Sequence, residues 1–320
     1  MGSRGTGAVT EPRAYDRPAS FRRALTDRLK TLAESSRWDL PQLQRQMAYD
    51  RLFERLYLVD DDWIVKGATA LLARDIGVRA TVDVDIYRRA GTASAGADLR
   101  AAARQDIGDW FRFEVGASRP ASGAVGGIRL PVRSFIGPTL WAPFRVDLAG
   151  TEIRMTGEPE PVPPLARVLI PDVEQHGYRA YPLVDHIADK VAAMFERYGK
   201  GGAPSTRYRD LVDLVAIVVA AQVDAEPQLA ALRSEASRRG LRLPTRFDIP
   251  DRRLWEPGYR AEARRSLLPV AWTLDEALET VRPFADPLLD GTAQGSWSPD
   301  DHRWERRSDR PKSTPQRTDE

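Results

Sequence analysis

The sequence predicts an α/β fold of the α+β type, with a small mixed sheet covered by helices and followed by a helical region. Apolar residues recur at helical spacing before a short apolar strand at residues 63–65. Residues 81–87 and 144–148 alternate polar and apolar side chains, as half-buried strands do. After four prolines within residues 157–164, the pattern becomes helical.

The N-terminal half contains the predicted sheet. We expect residues 1–18 to form a flexible arm, because they contain Gly, Arg and Pro without periodicity. Residues 19–160 are predicted to form one domain that begins with helices. Its helices are predicted at residues 20–36, 41–56, 69–76 and 99–107, and its strands at 63–65, 81–87, 110–115, 128–136 and 144–148.

The C-terminal half is predicted to be a helical lobe spanning residues 161–290 and completing the site. Residues 291–320 are rich in charge and poor in aliphatic residues, which predicts a disordered tail. The helices of the lobe are predicted at residues 183–198, 210–221, 227–239 and 274–284.

Composition excludes several classes of protein. The absence of cysteine excludes disulfides and thiolate metal sites, and the three histidines have no zinc-site spacing. No apolar run reaches the ~18 residues of a membrane span, so we expect no membrane partner. The N-terminus has no apolar signal core, so we expect the chain in the cytoplasm.

Positive charge is concentrated in residues 230–265, where ten arginines outnumber five acidic residues. Such a segment can bind the phosphate backbone of a nucleic acid. It can equally be the solvated surface of a helix, and the net charge of +2 does not decide between the two.

Asp83 and Asp85 are the main candidates for chemistry. Side chains two apart on a strand point to one face, roughly 6–7 Å apart along the chain. Asp147, on a later alternating strand, could complete a cluster of three carboxylates. All-oxygen ligands favour Mg²⁺, with Mn²⁺ as the other candidate, so these three are the predicted metal ligands. The structural alternative is an exposed acidic strand face or turn.

A glycine turn comes before these aspartates, with 13 residues between Thr69 and Asp83. Gly67 allows backbone amides to approach a phosphate, so residues 66–69 (Lys66, Gly67, Ala68 and Thr69) are predicted to bind nucleotide. Thr69 could instead cap a helix, and Lys66 could be an ordinary surface charge.

Further candidates lie on the predicted helices of the lobe. Lys190 could reach a triphosphate or could be a solvated lysine. Asp210 and Asp213 could contact metal, nucleotide or acceptor, or could cap the helix and complement its dipole. Arg207 and Arg209 could pair with them or bind phosphate. We expect His186 to be a partly buried helix residue, with a catalytic base as the alternative. We expect Trp255 and Tyr259 to belong to the core, with platforms for base stacking as the alternative.

The sequence resembles the AbiEii nucleotidyltransferase toxin family, in particular its MenT-type members, over residues 20–290. The resemblance rests on these segments: Lys66-Gly67-Ala68-Thr69-Ala70-Leu71, Arg79-Ala80-Thr81-Val82-Asp83-Val84-Asp85, Asp189-Lys190 and Arg209-Asp210-Leu211-Val212-Asp213-Leu214. Ala68 departs from the pattern, since the family usually has Gly or Ser there, which leaves only backbone contacts to phosphate.

The resemblance implies a polymerase-β-like nucleotidyltransferase that uses an NTP and Mg²⁺. Asp83 and Asp85 match its metal-binding pair, and Thr81 matches the hydroxyl residue before them. Lys190 and Asp210 match the helical lysine and the second acidic motif. The implied acceptor is the 3′ end of tRNA, whose modification stops translation and growth, and the implied partner is an antitoxin encoded nearby. Phosphorylation of Thr81 would repel the NTP.

Two other functions stay open. The same enzyme could modify a small molecule or a protein, although the arginine-rich segment favours RNA. Alternatively, the chain could be a non-catalytic nucleic-acid-binding protein on the same fold. That function predicts no effect of Asp83→Ala, and the presence of all three carboxylates argues against it.

Overall fold

The computed structural model describes residues 14–88, 94–121, 127–149, 154–199 and 201–306. Most of the predicted N-terminal arm and residues 307–320 of the predicted tail therefore lie outside the described residues. Within the described ranges, no helix has the length and apolar character needed to span a bilayer.

The helices are α1 (Pro18–Ser35), α2 (Leu40–Val59), α3 (Gly67–Ala73), α4 (Ala95–Ala103), α5 (Leu183–Phe195), α6 (Tyr208–Ala220), α7 (Ala225–Arg239), α8 (Arg252–Ala263) and α9 (Leu274–Leu289). The strands are β1 (Trp63–Lys66), β2 (Asp83–Arg88), β3 (Phe111–Val115), β4 (Arg119–Pro120), β5 (Ile128–Ile136), β6 (Thr139–Leu148), β7 (Glu160–Val162), β8 (Tyr178–Ala180), β9 (Arg197–Tyr198), β10 (Ala203–Pro204), β11 (Val223–Asp224), β12 (Ser296–Ser298) and β13 (Arg303–Glu305).

The main sheet is mixed, as predicted, and has the strand order β3-β5-β6-β2-β1-β8-β7, with β4 beside β5. Strand β2 runs parallel to β6 and antiparallel to β1. The register places Asp85 opposite Asp147 and Asp83 opposite Arg145. The predicted α/β class is confirmed, and the sheet brings the predicted acidic strands side by side.

Two hydrophobic clusters organise the chain. The first joins α1, α2 and α4 to the sheet and includes Phe21, Phe53 and Val84. The second is built mainly from α5 to α9 and includes Trp255 and Tyr259, which are fully buried as core residues. Helix α3 contributes to both clusters, so the end of β1 lies where the sheet meets the helical lobe.

Two predicted boundaries are corrected by the structure. Strands β7 and β8 belong to the sheet, so the helical lobe begins at α5 and not at residue 161. The prolines around β7 obscured its alternating pattern. The described part of the predicted disordered tail, residues 291–306, forms β12 and β13. Trp297 there is fully buried against Phe284, and this aromatic contact anchors an otherwise charged segment.

Asp109→Ala is expected to lower the free energy of unfolding by about 3–5 kcal/mol. The carboxylate of Asp109 is 1% exposed and pairs with Arg51 (2.6 Å) and Arg55 (2.7 Å), so its loss leaves two buried guanidinium groups without a counter-charge. Urea unfolding would measure the change. Asp27→Ala is the control, because Asp27 and Lys30 form an exposed pair worth at most about 1 kcal/mol. Equal losses in both variants would contradict this assignment.

Candidate active site

The glycine turn between β1 and α3 lies against the predicted acidic strand. Gly67 has a φ of +59°, a conformation that favours glycine. A Cβ atom at this position would lie 2.0 Å from Oδ2 of Asp85. The sequence therefore needs glycine here for two reasons, the left-handed backbone and the close approach of the Asp85 carboxylate.

The three predicted carboxylates lie on adjacent strands, each near an arginine or a lysine. Arg145 donates a hydrogen bond to Asp83 at 2.5 Å. Arg129 donates to both oxygens of Asp147, at 2.6 and 2.5 Å. Asp85, between them, is influenced by the positive charges of Lys66 and, more weakly, Arg79.

The pKa of Asp85 is raised to about 6 because burial disfavours its charge and the negative charge of Asp147 adds to this effect. Lys66 opposes the shift only in part. A divalent cation beside Asp85 and Asp147 would remove this cost, and oxygen donors suit Mg²⁺. The oxygen donors of Asp85 and Asp147, on adjacent strands, therefore fit the predicted metal.

The carboxylate oxygens of Asp83, Asp85 and Asp147 do not come together as a set within 4.8 Å. Arg145 and Arg129 hold the outer two aspartates by ion pairs. Among the described residues, the acidic group that meets this distance is residues 60–62, at the end of α2. These three aspartates do not line the cavity described below, and Asp60 is paired with Arg88.

A cavity of about 360 Å³ opens between the sheet and the lobe. Seven predicted site residues line it: Lys66, Gly67, Ala68, Asp85, Asp147, Lys190 and Asp210. Four others do not line it: Thr69, Thr81, Asp83 and Asp213. The cavity thus joins residues that lie more than 140 positions apart in the chain.

The hydroxyl groups of Thr69 and Thr81 lie outside this cavity. The hydroxyl of Thr69 is fully buried, lies inside α3 and makes no hydrogen bond to a described residue, so the predicted helix cap is wrong. The hydroxyl of Thr81 donates to the carbonyl of Asp83 (2.7 Å) and accepts from its amide (3.1 Å). These two hydrogen bonds form a turn just before β2. Thr81 therefore precedes the strand, which begins at Asp83 and not at residue 81 as predicted.

Lys190 is buried, so it is not the solvated lysine that the sequence left open. Its ammonium group donates to Asp210 at 3.0 Å and to Asp213 at 2.7 Å. Burial disfavours the charge of Lys190, but these two carboxylates outweigh it and raise its pKa. Two of the three N–H donors of Lys190 are therefore used, and the third has no hydrogen-bond partner among the described residues.

Arg79 completes this network and was not among the predicted site residues. It donates to both oxygens of Asp213, each at 3.0 Å, and lines the cavity. Although burial raises the pKa of Asp213, Lys190 and Arg79 outweigh it and lower the value to about 2. Asp213 thus acts as the buried anchor that holds two cations at the wall of the cavity.

Three further lining residues were not predicted to bind nucleotide: Tyr181, His186 and Asp189. The ammonium group of Lys66 lies 4.1 Å from the ring centre of Tyr181. Burial lowers the pKa of Lys66, and the charges of Asp189 and Asp85 oppose the shift. His186 is 4% exposed, and burial holds its pKa well below the usual range, so its ring is neutral. The sequence could not single out Tyr181, because its contact with Lys66 forms only in the folded chain.

Carboxylates on parallel strands, a glycine turn and buried ammonium groups around one cavity suit the transfer of a nucleotide from a triphosphate. The fold and site thus define a nucleotidyltransferase. The family profile described as "Nucleotidyl transferase AbiEii toxin, Type IV TA system" matches residues 51–280. The chain belongs to this family, which confirms the resemblance in its motifs.

Solved structures include distant neighbours. MenT4, a nucleotidyltransferase toxin from Mycobacterium tuberculosis H37Rv, is 16% identical over 80% of this chain and 99% of its own, with a TM-score of 0.46. JHP933 from Helicobacter pylori is 17% identical over 60% of this chain and 75% of its own, with a TM-score of 0.36. A putative nucleotidyltransferase from H. pylori is 15% identical over 78% of this chain and 92% of its own, with a TM-score of 0.39. No curated protein matches the chain.

Proposed function

We propose that this chain transfers a nucleotide from an NTP to an RNA hydroxyl, with the tRNA 3′ end as the acceptor and Mg²⁺ as the metal. The observation that carries the proposal is the register of β2 and β6, which puts Asp85 opposite Asp147 beside the Gly67 turn. Blocking the tRNA 3′ end would prevent aminoacylation and so inhibit translation. An antitoxin is the partner that the family implies.

Asp85 and Asp147, which line the cavity, would hold the metal, and Asp83, the third proposed ligand, would join them by leaving its ion pair with Arg145. When bound, the metal would neutralise phosphate charge and activate the α-phosphate. The backbone of Gly67 and Ala68 faces the same cavity and is assigned to the triphosphate. Lys66 and the third N–H of Lys190 are assigned to the charge that develops on the leaving pyrophosphate. Asp147 is assigned the role of polarising the attacking RNA hydroxyl.

Asp85→Asn is expected to reduce transfer at least ~100-fold, because a neutral amide removes one charge from the metal site while it keeps the shape of the side chain. The measurement uses purified protein, Mg²⁺ and each α-³²P-labelled NTP, with tRNA, total protein and small metabolites as separate acceptors. Asp61→Asn is the matched control, because it removes a carboxylate from the acidic group outside the cavity.

Label found in the protein or metabolite fraction and not in RNA would show that the acceptor is a protein or a small molecule. The assignment as a nucleotidyltransferase would stand. Transfer that survives Asp85→Asn but fails in Asp61→Asn would move the metal to residues 60–62. Growth inhibition that persists in Asp85→Asn would indicate a non-catalytic binding protein.

A further inference from the structure

A second cavity, of about 420 Å³, lies beside the first and has no role in the chemistry assigned above. Residues 206–210 at the start of α6 form one wall, and Arg79 and Glu262 complete it. Arg79, Arg207 and Asp210 line both cavities. A molecule in the second cavity would therefore lie next to a nucleotide held in the first.

The second cavity carries positive charge at its mouth. The side chains of Arg207 and Arg209 are 52% and 63% exposed. Arg207 lies 3.6 Å from Asp210, and Arg209 lies 3.2 Å from Glu262. Exposed pairs of this kind contribute little to stability, so a phosphate group can compete for either guanidinium.

Charges deeper in the wall are already balanced. Asp213 is shared by Arg79 and Lys190, and Lys190 also holds Asp210. Counting Arg207, Arg209 and Glu262 as well, four cations face three carboxylates, which leaves one net positive charge. The cavity therefore favours an anionic ligand at its mouth and not at its base.

An aromatic ring in the same wall is held in place from behind. Tyr208 is partly exposed, and its ring packs edge-to-face on Trp255 with centroids 5.2 Å apart. A Cβ atom at Gly258 of α8 would lie 2.4 Å from this ring, so glycine permits the contact. Trp255 also donates a hydrogen bond to the carbonyl of Ser205 (2.8 Å), which anchors the start of the segment.

We propose that the second cavity binds the terminal nucleotide of a single-stranded RNA 3′ end, with its base on Tyr208 and its phosphodiester on Arg207 and Arg209. A fixed aromatic ring beside arginines is the combination that binds single-stranded nucleic acid. A small acceptor without phosphate would have no use for two exposed arginines. This inference rests on the proposed nucleotidyl transfer to RNA and adds the part of the chain that selects the acceptor.

The test compares Arg207→Gln, Arg209→Gln and Tyr208→Leu with the wild type in two assays. In the first, fluorescence anisotropy measures binding of a short labelled oligoribonucleotide with a free 3′ hydroxyl, over a range of salt concentrations. In the second, steady-state transfer gives KM for RNA and KM for the NTP separately. Arg112→Gln is the control, because Arg112 is 52% exposed, pairs with Glu114, lines neither cavity and lies outside the arginine-rich segment 230–265.

Each arginine variant is expected to weaken oligonucleotide binding by about 3- to 30-fold and to reduce its salt dependence, and to raise KM for RNA by a similar factor. Tyr208→Leu is expected to weaken binding about tenfold, and Tyr208→Phe to retain it. If Tyr208→Leu fails to fold, the two arginine variants decide the test.

Binding in all variants equal to that of Arg112→Gln would overturn the assignment of the cavity, even if the wild type transfers nucleotide to RNA. If the wild type neither binds nor modifies RNA, both the assignment of the cavity and the proposed function are overturned. Binding that responds to the variants, without transfer, would support the cavity and reject the enzymatic proposal.

Discussion

Gly67→Ala is expected to reduce nucleotidyl transfer by at least about 100-fold, the loss that follows when a reacting group is misplaced by about 1 Å. The new Cβ would lie 2.0 Å from Oδ2 of Asp85, so the carboxylate or the turn must move. Because Asp85 lies opposite Asp147, either movement disturbs the pair proposed to hold the metal. The measurement is kcat for transfer at saturating NTP.

Gly108→Ala provides the matched control for this substitution. Gly108 also has a positive φ, +79°, but a Cβ there would have no atom within 4 Å. Both variants therefore carry the backbone strain of a left-handed alanine, about 1–2 kcal/mol, and only Gly67→Ala carries the contact with Asp85. Transfer by Gly67→Ala equal to that of Gly108→Ala would show that the close approach of the turn has no role in the reaction.

The sequence predicted the two acidic strands of this part of the site because local patterns determine them. Alternation in residues 144–148 placed Asp147 on the polar side of a strand, and the observed β6 keeps that arrangement. The alternation could not reveal that β6 is parallel to β2, since pairing direction depends on the path of the intervening chain. Nor could it reveal Arg145 and Arg129, whose contacts with Asp83 and Asp147 exist only after the strands pair.

The helical lobe was harder to predict at the level of the site. Helical spacing placed Lys190 beside an apolar stripe, which is compatible with solvent. Its burial depends on α6, which brings Asp210 and Asp213 to the ammonium group. Charged residues are rarely buried without partners, and the partner was not adjacent in sequence. The same reason explains why Arg79, which was visible in the motif, was not assigned to the site.

Lys190→Met is expected to reduce transfer at least ~100-fold and to lower the free energy of unfolding by about 3–5 kcal/mol. Methionine keeps much of the length of the side chain and removes the charge. Asp213 would keep Arg79 as a partner, whereas Asp210 would retain only Arg207, at 3.6 Å. Urea unfolding and the transfer assay measure the two effects separately.

Because one substitution affects both stability and transfer, a second variant is needed to distinguish a structural from a catalytic lysine. Lys190→Met combined with Asp210→Asn removes one positive and one negative charge and leaves the Arg79–Asp213 pair intact. We expect this double variant to regain most of the lost stability, since no buried charge is left unpaired. Asp210→Asn alone shows how much of the transfer depends on Asp210.

If Lys190 serves the leaving pyrophosphate, the double variant remains inactive although it is stable, because Lys66 alone does not replace the missing N–H donor. If Lys190 only neutralises the acidic pair, transfer returns with stability. The second result would also reject a direct role for Asp210 and would leave the reaction to the three strand carboxylates and Lys66. The hydrogen-bond count favours the first result, since two carboxylates use only two of the three donors of the ammonium group.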